Sequence, residues 1–172
     1  MKTLWLTVAA LVLCALSAAR ADDVAEAQRQ FDLFRQYART NDEKLLDLFA
    51  ADISVTFTVQ ADMGPALDTT LPAPTFRDTV EQSLARKEGN SNSYKDLKFE
   101  QEGDTVKLTC TRVDEKTGFT GPFVAVYGKD EAGQFKMRAM KFTVPPSRVA
   151  PGTGAETPAP VPADIPVPKA TP

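Results

Sequence analysis

The chain has 172 residues, 42% of them hydrophobic and 25% charged, which is the balance of an ordinary soluble globular protein. Its formal net charge is −3, a poor match for a nucleic-acid partner in the absence of a local basic patch. It contains no histidine, which excludes Ser-His-Asp and Cys-His nucleophile systems and the common histidine-containing zinc sites.

The first 21 residues read as an export signal. Lys2 supplies the positive start, Leu4 to Leu16 the apolar run, and Ala19-Arg20-Ala21 a small-x-small cleavage site followed by Asp22-Asp23. The apolar run is shorter than the roughly 20 residues of a spanning helix, so no membrane span is expected once the signal is cleaved. Cleavage removes Lys2 and Arg20 and no acid, leaving 18 basic residues against 23 acidic ones and a net charge of −5. It also removes Cys14. Cys110 is then the remaining cysteine, so no intrachain disulfide can form. The expected location is outside the cytoplasm, periplasmic or secreted.

Residues 22–144 form one domain, large enough to bury most of its apolar surface without disulfides or a metal. Val24, Ala27, Phe31, Phe34 and Ala38 lie at helical spacing and predict a first helix over about 23–39. Asn41 or Asp42 caps a short second helix carrying Leu45, Leu46 and Phe49. The period then changes. Ile53, Val55, Phe57 and Val59 alternate with polar residues and predict a half-buried strand. Residues 61–75 contain Gly64, Pro65, Pro72 and Pro74 and read as an irregular loop with a short edge strand. Phe76, Val80 and Leu84 mark a third helix at about 77–88, stopped by Gly89-Asn90.

Four strands follow. Leu97 and Phe99 mark the first, Val106, Leu108 and Cys110 the second, Phe123 to Tyr127 the third, and Phe135 and Met137 the fourth. Beyond Arg138 the apolar set shifts to Met140, Phe142 and Val144, which predicts a β-bulge near Ala139. Turns are expected at Glu102-Gly103-Asp104, Asp114 to Gly118 and Asp130 to Gly133. Residues 145–172 hold nine prolines and no Leu, Met or aromatic residue. Such a segment cannot offset its ordering entropy by burial, and it reads as a disordered arm or spacer.

The order of elements, with Asp42 to Ile53 as a helix-to-strand passage and Asp130 to Met137 as a final turn and strand, resembles the nuclear transport factor 2-like superfamily, including its SnoaL-like branch. Phe135 stands where that superfamily usually has tryptophan. The resemblance implies an α+β fold: a cone-shaped, bent antiparallel sheet with three helices packed on its concave face, often enclosing an apolar pocket. Fold does not dictate function, because the superfamily includes enzymes, binding proteins and assembly modules. Its ketosteroid isomerase-type motifs have no residue-by-residue match here. Its dehydratases rely on histidine, which this chain lacks. No catalytic residue, cofactor or metal is assigned.

For a pocket, Phe57, Phe123 and Tyr127 are the candidate ligand contacts, since strand alternation points them toward the helices. Arg112 continues the parity of Val106, Leu108 and Cys110 and is the candidate holder of an acidic head group at the open end. Asp52, at a helix-to-strand junction, is either a residue of the cavity mouth or a turn aspartate. Cys110 reads as an inert buried thiol. Lys107, Lys136, Arg138 and Lys141 give the other sheet face a basic character, and Val124 and Val126 on that face suit a homodimer formed sheet to sheet. The leading expectation is an exported domain that binds a small apolar or amphipathic molecule without catalysis. An envelope protein-interaction module and an acid–base isomerase or lyase remain the alternatives.

Overall fold

The computed structural model describes residues 2–60 and 65–145, with side chains from residue 21 onward. The leader's side chains and the tail beyond Pro145 lie outside the described residues.

The first helix, α1 (Lys2–Thr40), is longer than its apolar stripe predicts, since the backbone is helical from Lys2. Its stripe is the predicted one: Ala27, Phe31, Phe34 and Ala38 are buried and Val24 packs beside them. Asn41 ends the helix in the left-handed region, at φ 55°, and the Asp42 N–H returns to the Tyr37 carbonyl at 3.0 Å. That is a Schellman-type stop, with asparagine in the position glycine usually takes. Asp42 then caps a 3-10 helix (Glu43–Leu48), its carboxylate accepting from the Lys44 N–H at 3.0 Å. Phe49, expected in that helix, instead opens strand β1 (Phe49–Val59).

The edge strand expected in the proline-containing loop is β2 (Leu67–Leu71). The next helix, α2 (Ala73–Ala85), starts earlier than predicted. Pro74 sits in its first turn, where the missing N–H has no helical partner to lose. The helix also stops before the Gly89-Asn90 pair. Lys87 takes a left-handed φ of 54°, and the Glu88 N–H bonds the Ser83 carbonyl at 3.1 Å. The four remaining strands are β3 (Asn92–Glu102), β4 (Thr105–Asp114), β5 (Thr120–Lys129) and β6 (Phe135–Val144). All three predicted turns form. In two of them an aspartate side chain holds the loop backbone, Asp114 through the Lys116 N–H and Asp130 through the Gln134 N–H.

The strands form one open sheet in the order β2-β1-β6-β5-β4-β3. All neighbours are antiparallel except β1 and β6, which run parallel, so the sheet is mixed where a wholly antiparallel one was expected. The reason is topological. A tight turn makes β6 antiparallel to β5, and this brings it alongside β1 in β1's own direction. The predicted bulge is real and falls on Arg138: Val126 pairs with Ala139 while the adjacent Tyr127 pairs with Met137. The α+β architecture with three helices covering the sheet is the one the sequence predicts. Helix α1, the 3-10 helix and α2 contribute Phe31, Leu45 and Phe76 to a single core with Val55, Leu108, Phe123 and Met137.

Candidate functional site

Register aligns the apolar side chains of the covered face in rows across the sheet. Phe57 of β1, Phe142 of β6, Phe123 of β5 and Cys110 of β4 form one such row. Val55, Met140, Ala125, Leu108 and Phe99 form the next. Above Phe142, Phe123 and Met140 the helices leave a cavity of about 180 Å³. Its roof is Phe34 and Ala38 of α1, Leu45 of the 3-10 helix, and Phe76, Val80 and Leu84 of α2. Tyr94 of β3 and Arg112 of β4 complete the wall, and these two are register partners.

One end of the cavity is polar, and the way the chain closes α1 makes it so. Asn41, the left-handed stop residue, lies on the lining. Gly89 comes so close to α1 that an added Cβ would lie 3.2 Å from the Arg39 carbonyl, so a side chain there would push the segment away. The Asn90 N–H bonds the Ala38 carbonyl at 3.0 Å, and the Asn90 side chain accepts from the Asn92 N–H at 2.8 Å. These bonds carry Asn90 and Asn92 to the same rim. Arg112 donates from Nη2 to the Thr143 carbonyl at 2.6 Å, and its guanidinium lies over the Phe142 ring at 4.9 Å. Glu88 is the carboxylate among the lining residues, and it faces Arg86 at 3.5 Å on the exposed side.

No protein-family model matches the chain, and no curated protein matches it in sequence. Solved structures do match its fold. A protein from Pseudomonas putida, described as nuclear transport factor 2-like and of unknown function, has a TM-score of 0.55 at 17% identity, covering 75% of this chain and 88% of its own. A nuclear transport factor 2-like protein with a cystatin-like fold from Novosphingobium aromaticivorans has a TM-score of 0.54 at 13% identity, covering 78% and 89%. A candidate dehydratase of that family from Streptomyces avermitilis has a TM-score of 0.50 at 19% identity, covering 72% and 96%. The chain has the nuclear transport factor 2-like fold. At these identities the likeness concerns architecture, and it does not distinguish one branch of the superfamily from another.

Within this nuclear transport factor 2-like fold the four candidate contacts part company. Phe123 and Arg112 line the cavity. Phe57 occupies the same row as Phe142 but one strand farther out, half-buried and outside the lining. Tyr127 is completely buried away from it, stacked on Phe135 at 6.4 Å. Its hydroxyl has no hydrogen-bond partner among the described residues. The Asp52 carboxylate is exposed and pairs with Arg138 at 3.1 Å, so it belongs to the surface and not to a cavity mouth. Cys110 is buried, and burial pushes its thiol up to about 11. The basic residues of the outer sheet face are each engaged. Lys107 pairs with Glu102, Arg138 with Asp52 and Lys141 with Asp68, while Lys136 donates to the Asp47 carbonyl at 2.7 Å.

The residues that sequence reasoning missed are Tyr94 and the asparagines of the rim. Phe34, Ala38, Phe76, Val80 and Leu84 are visible in the sequence as apolar stripes, but a stripe marks a buried face and does not say whether that face meets another side chain or a void. Among the described residues there is no cluster of three or more metal-ligating side chains, and no helix is long and apolar enough to cross a membrane.

Proposed function

We propose that the chain is an exported domain that binds a small amphipathic molecule in this cavity without chemical turnover. The observation that carries the reading is the lining itself, in which aromatic and aliphatic side chains predominate and Arg112, Asn41, Asn90, Asn92, Ser83 and Glu88 supply the polar groups. A few convergent polar groups in an otherwise apolar cavity orient a ligand by one end. Guanidinium suits a carboxylate head because its N–H groups form a planar fork. The ionisable groups beside the cavity argue against proton transfer. Burial holds the Tyr94 phenol well above its ordinary value and the Cys110 thiol at about 11. A general acid or base works best with a pKa near the operating pH. The name of the Streptomyces avermitilis neighbour suggests a lyase, but the carboxylate of the lining, Glu88, is more than half exposed and paired with Arg86 rather than set among the apolar side chains.

Two measurements test the proposal. A thermal-shift screen of fatty acids, sterols and aromatic acids should give at least one hit that Arg112→Gln weakens. A screen with no hit in any class sinks it and favours the envelope interaction module. N-terminal sequencing of the exported protein should begin at Asp22, and an intact Met1 on a membrane-bound product would refute export by cleavage.

A further inference from the structure

We infer that the ligand is a monocyclic aromatic acid, an anion of the benzoate class, an inference that rests on the binding reading above. Size is the first reason. An apolar cavity of about 150 Å³ takes up benzene, and this one measures about 180 Å³. A single ring with one small polar substituent fits that space. The pocket is open to solvent on one side, so its volume sets which ligand fills it best and a larger one must project outward.

Rigidity is the second reason. The cavity cannot swell easily, because its wall rings are locked to one another. Tyr94 meets Phe123 edge-on at 5.2 Å, Phe123 stacks on Phe34 at 6.3 Å, and Phe34 meets Phe49 at 6.2 Å. Phe49 in turn meets Phe76 edge-on at 5.1 Å. Enlarging the space would break contacts that run from β3 through α1 to α2.

The character of the wall is the third reason. Phe34, Phe76, Tyr94, Phe123 and Phe142 all face the void. A ring among rings gains edge-to-face contacts that a saturated chain of equal volume does not. It also has no internal rotors to freeze, whereas an acyl chain must give up its conformational freedom to fold into so short a space. The fourth reason is charge. Arg112 is the cation among the lining residues, and the carboxylate there, Glu88, is more than half exposed and paired with Arg86. The Tyr94 phenol, its ionisation pushed up by burial, is hydrogen-bonded to the Asn90 side chain of the same rim and adds no negative charge there.

The experiment is a calorimetric titration of the purified full chain with five probes: benzoate, benzyl alcohol, cyclohexanecarboxylate, 2-naphthoate and octanoate. Benzoate should bind saturably at one site. Cyclohexanecarboxylate should bind several-fold more weakly, and 2-naphthoate and octanoate at least tenfold more weakly. Arg112→Gln should weaken benzoate at least fivefold and leave benzyl alcohol within twofold. Val80→Phe, which fills the void from a half-buried position on α2, should abolish benzoate binding while circular dichroism and the melting temperature show a folded protein. Octanoate or 2-naphthoate binding as tightly as benzoate, and lost in Val80→Phe, would overturn the single-ring inference and leave the binding reading standing. Benzoate binding unchanged in Val80→Phe would place the site elsewhere and overturn the inference. Saturable binding of none of the five probes would overturn the inference, and the binding reading falls with it if the wider screen is also empty.

Discussion

The guanidinium carbon of Arg112 lies 4.9 Å from the centre of the Phe142 ring, on a neighbouring part of the same covered sheet face. The same side chain reaches the Thr143 carbonyl at 2.6 Å, so β4 is tied to β6 across the intervening β5. This contact serves the fold as well as the cavity, because a planar cation both stacks on a ring and donates in its own plane. Arg112→Lys keeps the charge but not the plane. It should lower stability by about 1 kcal/mol, the scale of a partly desolvated cation–π contact. The check is the urea midpoint of the two proteins, and an unchanged midpoint would show that the stacking contributes nothing.

Tyr127→Phe should be neutral or stabilising. The ring is fully buried and stacked on Phe135, but the hydroxyl finds no partner among the described residues. An unsatisfied buried polar group costs about 1–3 kcal/mol. Removing it should therefore raise the urea midpoint or leave it in place. A loss of more than about 1 kcal/mol would mean that the hydroxyl is bonded.

Arg77 joins α2 to the start of β1. It donates from Nη2 to the carbonyls of Phe49 and Ala50 at 2.9 and 3.0 Å. Charged hydrogen bonds of this kind contribute roughly 1.5–3 kcal/mol, and Arg77→Ala should cost about that much. Amide exchange should speed up at Phe49 and Ala50 before it does in β5. Uniform acceleration across the sheet would show that the anchor has no local role.

Stability should fall on the alkaline side. The Cys110 thiol ionises at about 11 in the folded chain against an ordinary value of 9.0. Above pH 9 the unfolded chain therefore releases the proton while the folded one still holds it. The unfolded state then binds fewer protons, so the stability of the fold decreases with rising pH through that window. The phenols of Tyr94 and Tyr127 are displaced upward by burial and add to the same trend at higher pH. Urea midpoints measured from pH 8 to pH 10.5 should decline, and Cys110→Ala should flatten the first part of the decline. A flat profile in the parent protein would contradict the assignment. Alkylation of Cys110 at pH 8 should likewise be far slower in native than in unfolded protein.

Local patterns in the sequence carry most of the architecture. The spacing of Ala27, Phe31, Phe34 and Ala38 determines which side of α1 is buried, because helical periodicity is a property of the backbone itself. The slip of parity after Arg138 announces the bulge, because a strand can change its buried side only by inserting a residue. Asp42, Asp114 and Asp130 mark loops because their carboxylates bond nearby backbone N–H groups. The parallel pairing of β1 with β6 and the membership of the cavity were not legible in this way. Phe123 and Tyr127 share a face of β5, and alternation cannot separate them. Only the register decides that Phe123 stands in the row beneath the void while Tyr127 sits in the packed core. Asn90 reads in the sequence as a helix stop. It becomes part of a site because Gly89 lets the chain press against the end of α1, and the Asn90 N–H then finds the Ala38 carbonyl. Periodicity reports the environment of a side chain relative to its own element. Where two helices fail to meet over a sheet depends on how distant elements dock, and that is decided by tertiary packing.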